Sequence, residues 1–235
     1  MIYRQDFRVL SSDVDLRRRL RLSRMYTLMQ EAAIAHTEAL GAGRAVTLDR
    51  GILWAVAMQR TRVHRLPEYD EDVALLSWPG ATMHVLFPRY YRFVGAGGEV
   101  LCESSALWIL MDAKTRQRVY PDEAGVCVPG TVLGDEPPLP RALGRPGAGD
   151  APFTVPYSYA DLNGHMNNTR LLDLAEDLMP EDLRAARVRE IEAEFRGEAR
   201  PGEALLLSAR REGDRFTLSG ESEKPLFTLR MRYEV

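Results

Sequence analysis

No stretch of about 18 apolar residues, the length a membrane-crossing helix needs, occurs anywhere in the chain. Its first residues, MIYRQDFRVL, hold no long apolar run of the kind that marks a secretory signal. The expectations that follow are no membrane insertion and a cytoplasmic location. Cysteine is scarce: Cys102 and Cys127 are the only two, and they form no CxxC pair. A disulfide framework and a zinc site of the usual spacing are therefore not expected, and both thiols are read as buried and free. The four histidines, His36, His64, His84 and His165, show no HExxH or similar spacing. No metal and no other cofactor is expected. An excess of one charge is missing too, since the net charge is −3, and nothing global suggests the strongly basic face of a nucleic-acid binder.

What is present is an ordinary globular composition, 45% hydrophobic and 28% charged over 235 residues. A chain of this size buries roughly three quarters of its unfolded surface, enough for one large domain or two units of about 110 residues. Proline distribution separates these options. Half of the 14 prolines fall between Pro121 and Pro152, together with six glycines, a composition that reads as a linker. The expected organisation is a unit over 1–120, a linker over 121–152 and a second unit over 153–235.

A shift of 146 positions, from 7 to 153, aligns FRVLSSDVDLRRRLRLSRMYTLMQE with FTVPYSYADLNGHMNNTRLLDLAED without a gap. Seven of the 25 pairs are identical: Phe7/Phe153, Val9/Val155, Ser12/Ser158, Asp15/Asp161, Leu16/Leu162, Arg24/Arg170 and Leu28/Leu174. A period this long signals duplicated domains, not a solenoid. In the first copy Leu22, Met25, Met29, Ala32, Ala33, His36 and Leu40 recur at helical spacing, which predicts one long amphipathic helix. Strand-like runs follow: ILWAVAMQRTRVHRL, DVALLSW, HVLFPRYYRFV and EVLCESSALWILMD. The second copy repeats the order, with a shorter helix from about Asn168 to Leu178 and then VREIEAEFRGEA, EALLLSAR, DRFTLSG and PLFTLRMRYEV. In the last run Phe227, Leu229, Met231, Tyr233 and Val235 alternate as on one face of a half-buried strand. Strand, helix and then several strands is an α+β pattern. Each unit is expected to be a long helix wrapped by an antiparallel sheet, the hotdog arrangement, and the chain a tandem or double hotdog.

The copies differ most at the turn before the helix. The second carries Asp161, Asn163, His165, Asn167 and Asn168 where the first carries Asp15, Arg17, Arg19, Arg21 and Leu22. Asn and Asp favour turns and helix caps on their own, but the first copy builds the matching turn without Asn or His. Asn163 and His165 are therefore candidates for chemistry. Asp161 stays open between chemistry and fold, because Asp15 recurs in the other copy.

YADLNGHMNNTRLLDLAEDL resembles the D-x-N-x-H-x-N-N segment of the plant and bacterial acyl-ACP thioesterases, and EFRGEARPGEAL resembles that family's second catalytic segment. The resemblance spans nearly the whole chain. It implies a catalytic set of Asp161, Asn163, His165 and Glu198. The family's cysteine does not carry over, since Ala199 stands at its position. The resemblance thus implies hydrolysis of a fatty acyl thioester with water as the nucleophile: Glu198 or Asp161 orients or deprotonates it, His165 moves a proton and Asn163 holds the oxyanion. The helix start near Asn167 would add backbone N–H groups.

The resemblance also implies an acyl carrier protein as partner, and such carriers are strongly acidic. LRRRLRLSR places Arg17, Arg18, Arg19 and Arg21 ahead of the first helix, either as a docking surface for that carrier or as a plain solvated turn. Met25, Met29, Ala32 and Ala33, flexible or small, are read either as the wall of an acyl-binding channel or as ordinary core. A second copy of the chain is a further candidate partner. The competing functions are an acyl-CoA thioesterase of the same fold and a non-catalytic acyl-binding module. A hydratase fits less well, because its motif places His five residues after Asp and here the interval from Asp161 to His165 is four.

Overall fold

The computed structural model describes residues 1–144 and 147–234. Positions 145 and 146 of the expected linker, and Val235 of the expected last strand, lie outside the described residues. The chain divides into two compact units, Met1–Arg21 with Met25–Pro140, and Leu22–Arg24 with Arg141–Val235.

The first unit runs β1 (Tyr3–Arg8), α1 (Leu22–Ala39), β2 (Ile52–Val63), β3 (Asp72–Pro79), β4 (Phe87–Gly95) and β5 (Val100–Asp112), ending in the short β6 (Arg118–Val119) and α2 (Pro121–Ala124). Its strands are antiparallel in the order β1-β3-β4-β5-β2, with β6 on β5. The second unit runs β7 (Ala151–Thr154), α3 (Arg170–Leu178), α4 (Glu181–Ala185), β8 (Arg187–Phe195), β9 (Ala204–Glu212), β10 (Arg215–Glu221) and β11 (Pro225–Glu234). Its order, β7-β9-β10-β11-β8, follows the same path through the sheet. Two units of identical topology are what a duplicated hotdog requires.

The helices differ in length for a local reason. Shifting α1 by 146 positions carries its end, Ala39, onto Ala185, the last residue of α4. One helix in the first copy is therefore two in the second, and the break falls at Met179 and Pro180, both extended at ψ 153 and 146. Proline disfavours the helical conformation in the residue before it and blocks the ladder behind it. The second helix was expected to stop at Leu178; α4 resumes it beyond the proline.

Burial follows periodicity with two corrections. Leu22, Met25, Met29, Ala32, Ala33 and His36 are all buried along α1. In β11, Phe227, Leu229, Met231 and Tyr233 are buried, but so are Leu226 and Thr228. That strand is interior to its sheet, between β8 and β10, and the Arg196 guanidinium covers its second face by donating to Thr228 Oγ1 at 3.0 Å. Cys127, expected to be buried, is exposed, while Cys102 is buried. Its neighbours Ala124, Val126 and Val128 take the inward positions against Ala42, Phe87 and Leu110, so alternation turns Cys127 outward. Of the segment read as a linker, residues 121–140 belong to the first unit, and the Ser105 hydroxyl donates to Pro138 O there at 2.6 Å.

A carboxylate organises the turn between β1 and α1. Asp15 Oδ1 accepts the backbone N–H groups of Arg17 and Arg19 at 2.8 and 2.9 Å, and Asp15 N donates to Arg19 O at 2.8 Å. The chain needs a left-handed residue to close this loop, and Arg18 supplies it at φ 65. Asp15→Ala is expected to cost about 1 to 2 kcal/mol, because two turn amides lose their acceptor. Urea unfolding measures it; a midpoint unchanged at constant m would show that the carboxylate does not hold the turn.

Candidate active site

The same turn is rebuilt 146 positions later with different side chains. Asp161 Oδ1 accepts N–H from Asn163 at 2.8 Å and from His165 at 3.2 Å, and Asp161 N donates to His165 O at 2.8 Å. The left-handed place falls to Gly164, at φ 76, where a residue without Cβ carries no penalty. A backbone-holding job is therefore common to Asp15 and Asp161. In the first copy the fifth residue, Arg19, folds back onto Asp15 Oδ2 at 2.9 Å. In the second it is His165, which turns inward and is buried.

A second loop meets this turn between β8 and β9. Met166 N donates to Ala199 O at 2.7 Å, and Leu20 N donates to Pro67 O at 2.8 Å in the first copy. From 67 to 199 is a shift of 132, and the same shift relates Glu71 to Glu203, each of which accepts a backbone N–H from three residues before it at 2.9 Å. Glu198 thus stands where the first copy has Leu66. Its carboxylate Oε2 lies 3.6 Å from His165 Nε2, with the Glu198 side chain about one third exposed and the imidazole almost enclosed. That spacing is electrostatic contact beyond hydrogen-bond length, close enough for one water to touch both groups.

All four expected catalytic residues, Asp161, Asn163, His165 and Glu198, fall in the second unit on these two loops. Asn163 is exposed, and its Nδ2 donates to Asp161 Oδ2 at 3.4 Å. The helix start contributes less than expected: α3 begins at Arg170, and the Asn167 amide already donates to Tyr159 O at 2.8 Å. Asn167 Oδ1 accepts from Thr169 N at 2.9 Å, which is turn chemistry. Sequence reasoning overlooked Glu203 as the brace of the second loop. The 132-residue shift relating it to Glu71 was the available signal.

The other expected residues lie in or border the first unit. Arg17, Arg18 and Arg21 are exposed, with Arg18 5.5 Å over the Tyr69 ring and Leu16 beside them 99% exposed. Arg19 is half-buried and held by Asp15. Met25, Met29, Ala32 and Ala33 are buried, and Gln59 Nε2 donates to Met29 Sδ at 3.5 Å. Among the described residues no helix is long and apolar enough to cross a membrane, and no group of three or more His, Cys, Asp or Glu is arranged to hold a metal.

Comparison with known proteins follows the same division. Residues 1–123 match the model of the acyl-ACP thioesterase N-terminal domain, and residues 148–230 that of the C-terminal domain. The chain is 24% identical over 215 residues to the chloroplastic palmitoyl-acyl carrier protein thioesterase of Cuphea hookeriana, covering 84% of this chain and 52% of that one. It spans about half the length of the curated relatives it matches. Among solved structures, an acyl-ACP thioesterase from Bacteroides thetaiotaomicron superposes with a TM-score of 0.82 at 18% identity, covering 99% of this chain and 98% of the other. The 12:0-ACP thioesterase of Umbellularia californica does so with 0.82 at 20%, covering 99% and 97%. These likenesses show the double hotdog.

If Asp161 holds the turn through its oxygens, an amide oxygen serves as well. Asp161→Asn is expected to keep its unfolding midpoint, whereas Asp161→Ala loses about 1 to 2 kcal/mol, as at Asp15. Equal stability of the two variants in urea would dismiss that role.

Proposed function

The chain belongs to the acyl-ACP thioesterase family, and from that premise we propose that it hydrolyses a fatty acyl thioester carried by an acyl carrier protein, with water as the nucleophile. The observation that carries this reading is the enclosed His165 against Glu198, present only in the copy whose turn also bears Asn163 and replaced by Arg19 and Leu66 in the other. A duplicated scaffold that builds the same turn twice and arms it once supports chemistry at the armed copy.

In this reaction a water oxygen bonds to the thioester carbonyl carbon as Glu198 takes its proton. The carbonyl oxygen becomes an oxyanion, and the Asn163 amide donates to it. Collapse breaks the C–S bond, and the leaving thiolate receives a proton through His165, giving free acid and carrier thiol. Glu198 is favoured over Asp161 as the base because Asp161 Oδ1 already accepts two backbone N–H groups, whereas Glu198 faces the imidazole. Ala199 brings no thiol to the site, and Cys102 is buried in the first unit, where desolvation raises its thiol pKa and opposes a thiolate. The carrier docks on exposed Arg17, Arg18 and Arg21, where positive charge steers an acidic partner, and the acyl chain lies along the inner face of α1.

His165→Ala, Asn163→Ala and Glu198→Gln are each expected to lower kcat/KM on acyl-carrier substrates by about two to four orders of magnitude. Asp161→Asn and Ala199→Cys should stay within about tenfold if water is the nucleophile. Near-normal turnover by folded His165→Ala protein would remove the imidazole from the mechanism, and trapping an acyl group on Cys102 or Cys127 would replace water. Turnover of matched acyl-CoA substrates at or above that of acyl-carrier substrates would reassign the substrate class.

The acyl site has its own test at Ala33. If a channel runs there, Ala33→Phe shortens the preferred chain, and excluding two or three methylenes at about 0.8 kcal/mol each costs the longer substrate one to two orders of magnitude. Overpacking of a solid core would instead lower stability by about 1 to 3 kcal/mol and reduce activity on every chain length alike.

A further inference from the structure

Beneath the C-terminal half of α1 lies a positive charge with no counter-charge among the described residues. Arg89, on β4, is 5% exposed. Its Nη1 contacts His36 Nδ1 at 3.3 Å and donates to Ser77 Oγ at 3.1 Å, and its Nη2 donates to Thr37 Oγ1 at 2.9 Å. All three partners are buried and neutral. Among the described residues no carboxylate pairs with it, and burial draws its pKa down from the usual value. A guanidinium stays protonated in a protein nonetheless, and a buried, unpaired charge is costly.

The cluster also offers donors in excess of acceptors. Arginine only donates, so His36 Nδ1 accepts and its Nε2 carries the proton. His36 is 1% exposed, and its Nε2 has no hydrogen-bond partner among the described residues. Desolvation, aided by the Arg89 charge, holds the His36 pKa down at about 4, so the ring is neutral and adds no second charge. Tyr3 stacks on the ring at 5.7 Å and closes its face. Tyr91, which lies within reach of the Arg89 charge, is buried with its pKa pushed up to about 12 by desolvation, so it too supplies no negative charge. Of the five N–H groups a guanidinium carries, three are engaged here. The guanidinium charge, held here by neutral groups alone, calls for an acceptor that bears negative charge.

We propose that Arg89, His36, Thr37 and Ser77 form a binding site for a carboxylate group inside the first unit. A carboxylate accepts short, charge-assisted N–H bonds from a guanidinium. Ala32 and Ala33 precede His36 by four and three residues on the same helix face, so the site sits at the far end of the wall assigned to the acyl chain. Two sources share this chemistry: the terminal carboxylate of an acyl chain that carries one, which rests on the acyl-site reading above, or a small free carboxylate, which does not.

The experiment has an arm for each. In the first, thermal unfolding of the intact wild-type chain is followed in sodium acetate against sodium chloride of equal ionic strength. Occupancy at ten times Kd should raise Tm by about 3 to 6 °C, saturably, and the rise should vanish in Arg89→Met. In the second, kcat/KM is compared for thioesters of equal chain length ending in a methyl or a carboxylate group. The carboxylate-ended substrate should be favoured by the wild type at least tenfold and lose that advantage in Arg89→Met. A positive first arm alone establishes the site with a small carboxylate as ligand, and a positive second arm assigns it to the substrate. Absence of hydrolysis on any thioester would defeat the proposed activity while the acetate arm still decides the site. No acetate effect together with a terminal-group preference that is absent or survives in Arg89→Met overturns the proposal. Should Arg89→Met fail to fold, the wild-type acetate titration and the wild-type substrate ratio carry the decision: a saturable rise or a tenfold preference upholds the site, and neither overturns it.

Discussion

A short loop that turns a strand into a helix leaves backbone N–H groups pointing at one another, and something must accept them. Here one aspartate does so in each copy, through the same oxygen and to the residues two and four positions on. Because the carboxylate, not the neighbouring side chains, secures the loop, those neighbours are released from structural duty. The first copy spends them on arginines. The second spends them on Asn163 and His165.

Loop pairing then decides which partners these side chains meet. The N–H of Met166 and the carbonyl of Ala199 fix the turn against the β8–β9 connection, as Leu20 and Pro67 do in the first copy. Whatever follows the aspartate by four residues therefore faces whatever precedes that carbonyl by one. In one copy the pair is His165 and Glu198. In the other, Arg19 bends back to its own aspartate and Leu66, at the place of Glu198, carries no charge. The two copies thus differ in two side chains on an unchanged backbone device.

The interior of the first unit is less hydrocarbon-like than its helix pattern suggests. Tyr26, Thr61, Ser104 and Gln59 form one buried hydrogen-bonded group under α1, and Arg89 with His36, Thr37 and Ser77 forms another. Buried polar groups of this kind must be satisfied or they destabilise the fold. Partnered side chains fix the helix on the sheet.

The match of the chain to itself at a shift of 146 determined the duplication, and hydrophobic periodicity determined the α+β class, the course of α1 and most strands, because burial on a helix face or a strand face repeats with the local geometry of the chain. The contrast between copies was equally legible and singled out Asn163 and His165. The sequence left open whether Asp161 served the fold or the chemistry, since a carboxylate's oxygens can do either and only the positions of the Asn163 and His165 amides show them occupied. The pairing of Glu198 with His165, 33 residues apart, depended on loop register, which no local pattern encodes. Cys127 pointing outward, Thr228 buried beneath an arginine and Arg89 enclosed among neutral partners were likewise decided by what tertiary packing laid over each residue. Sequence periodicity predicts which side chains turn inward; what they meet there is set by contacts between segments far apart in the chain.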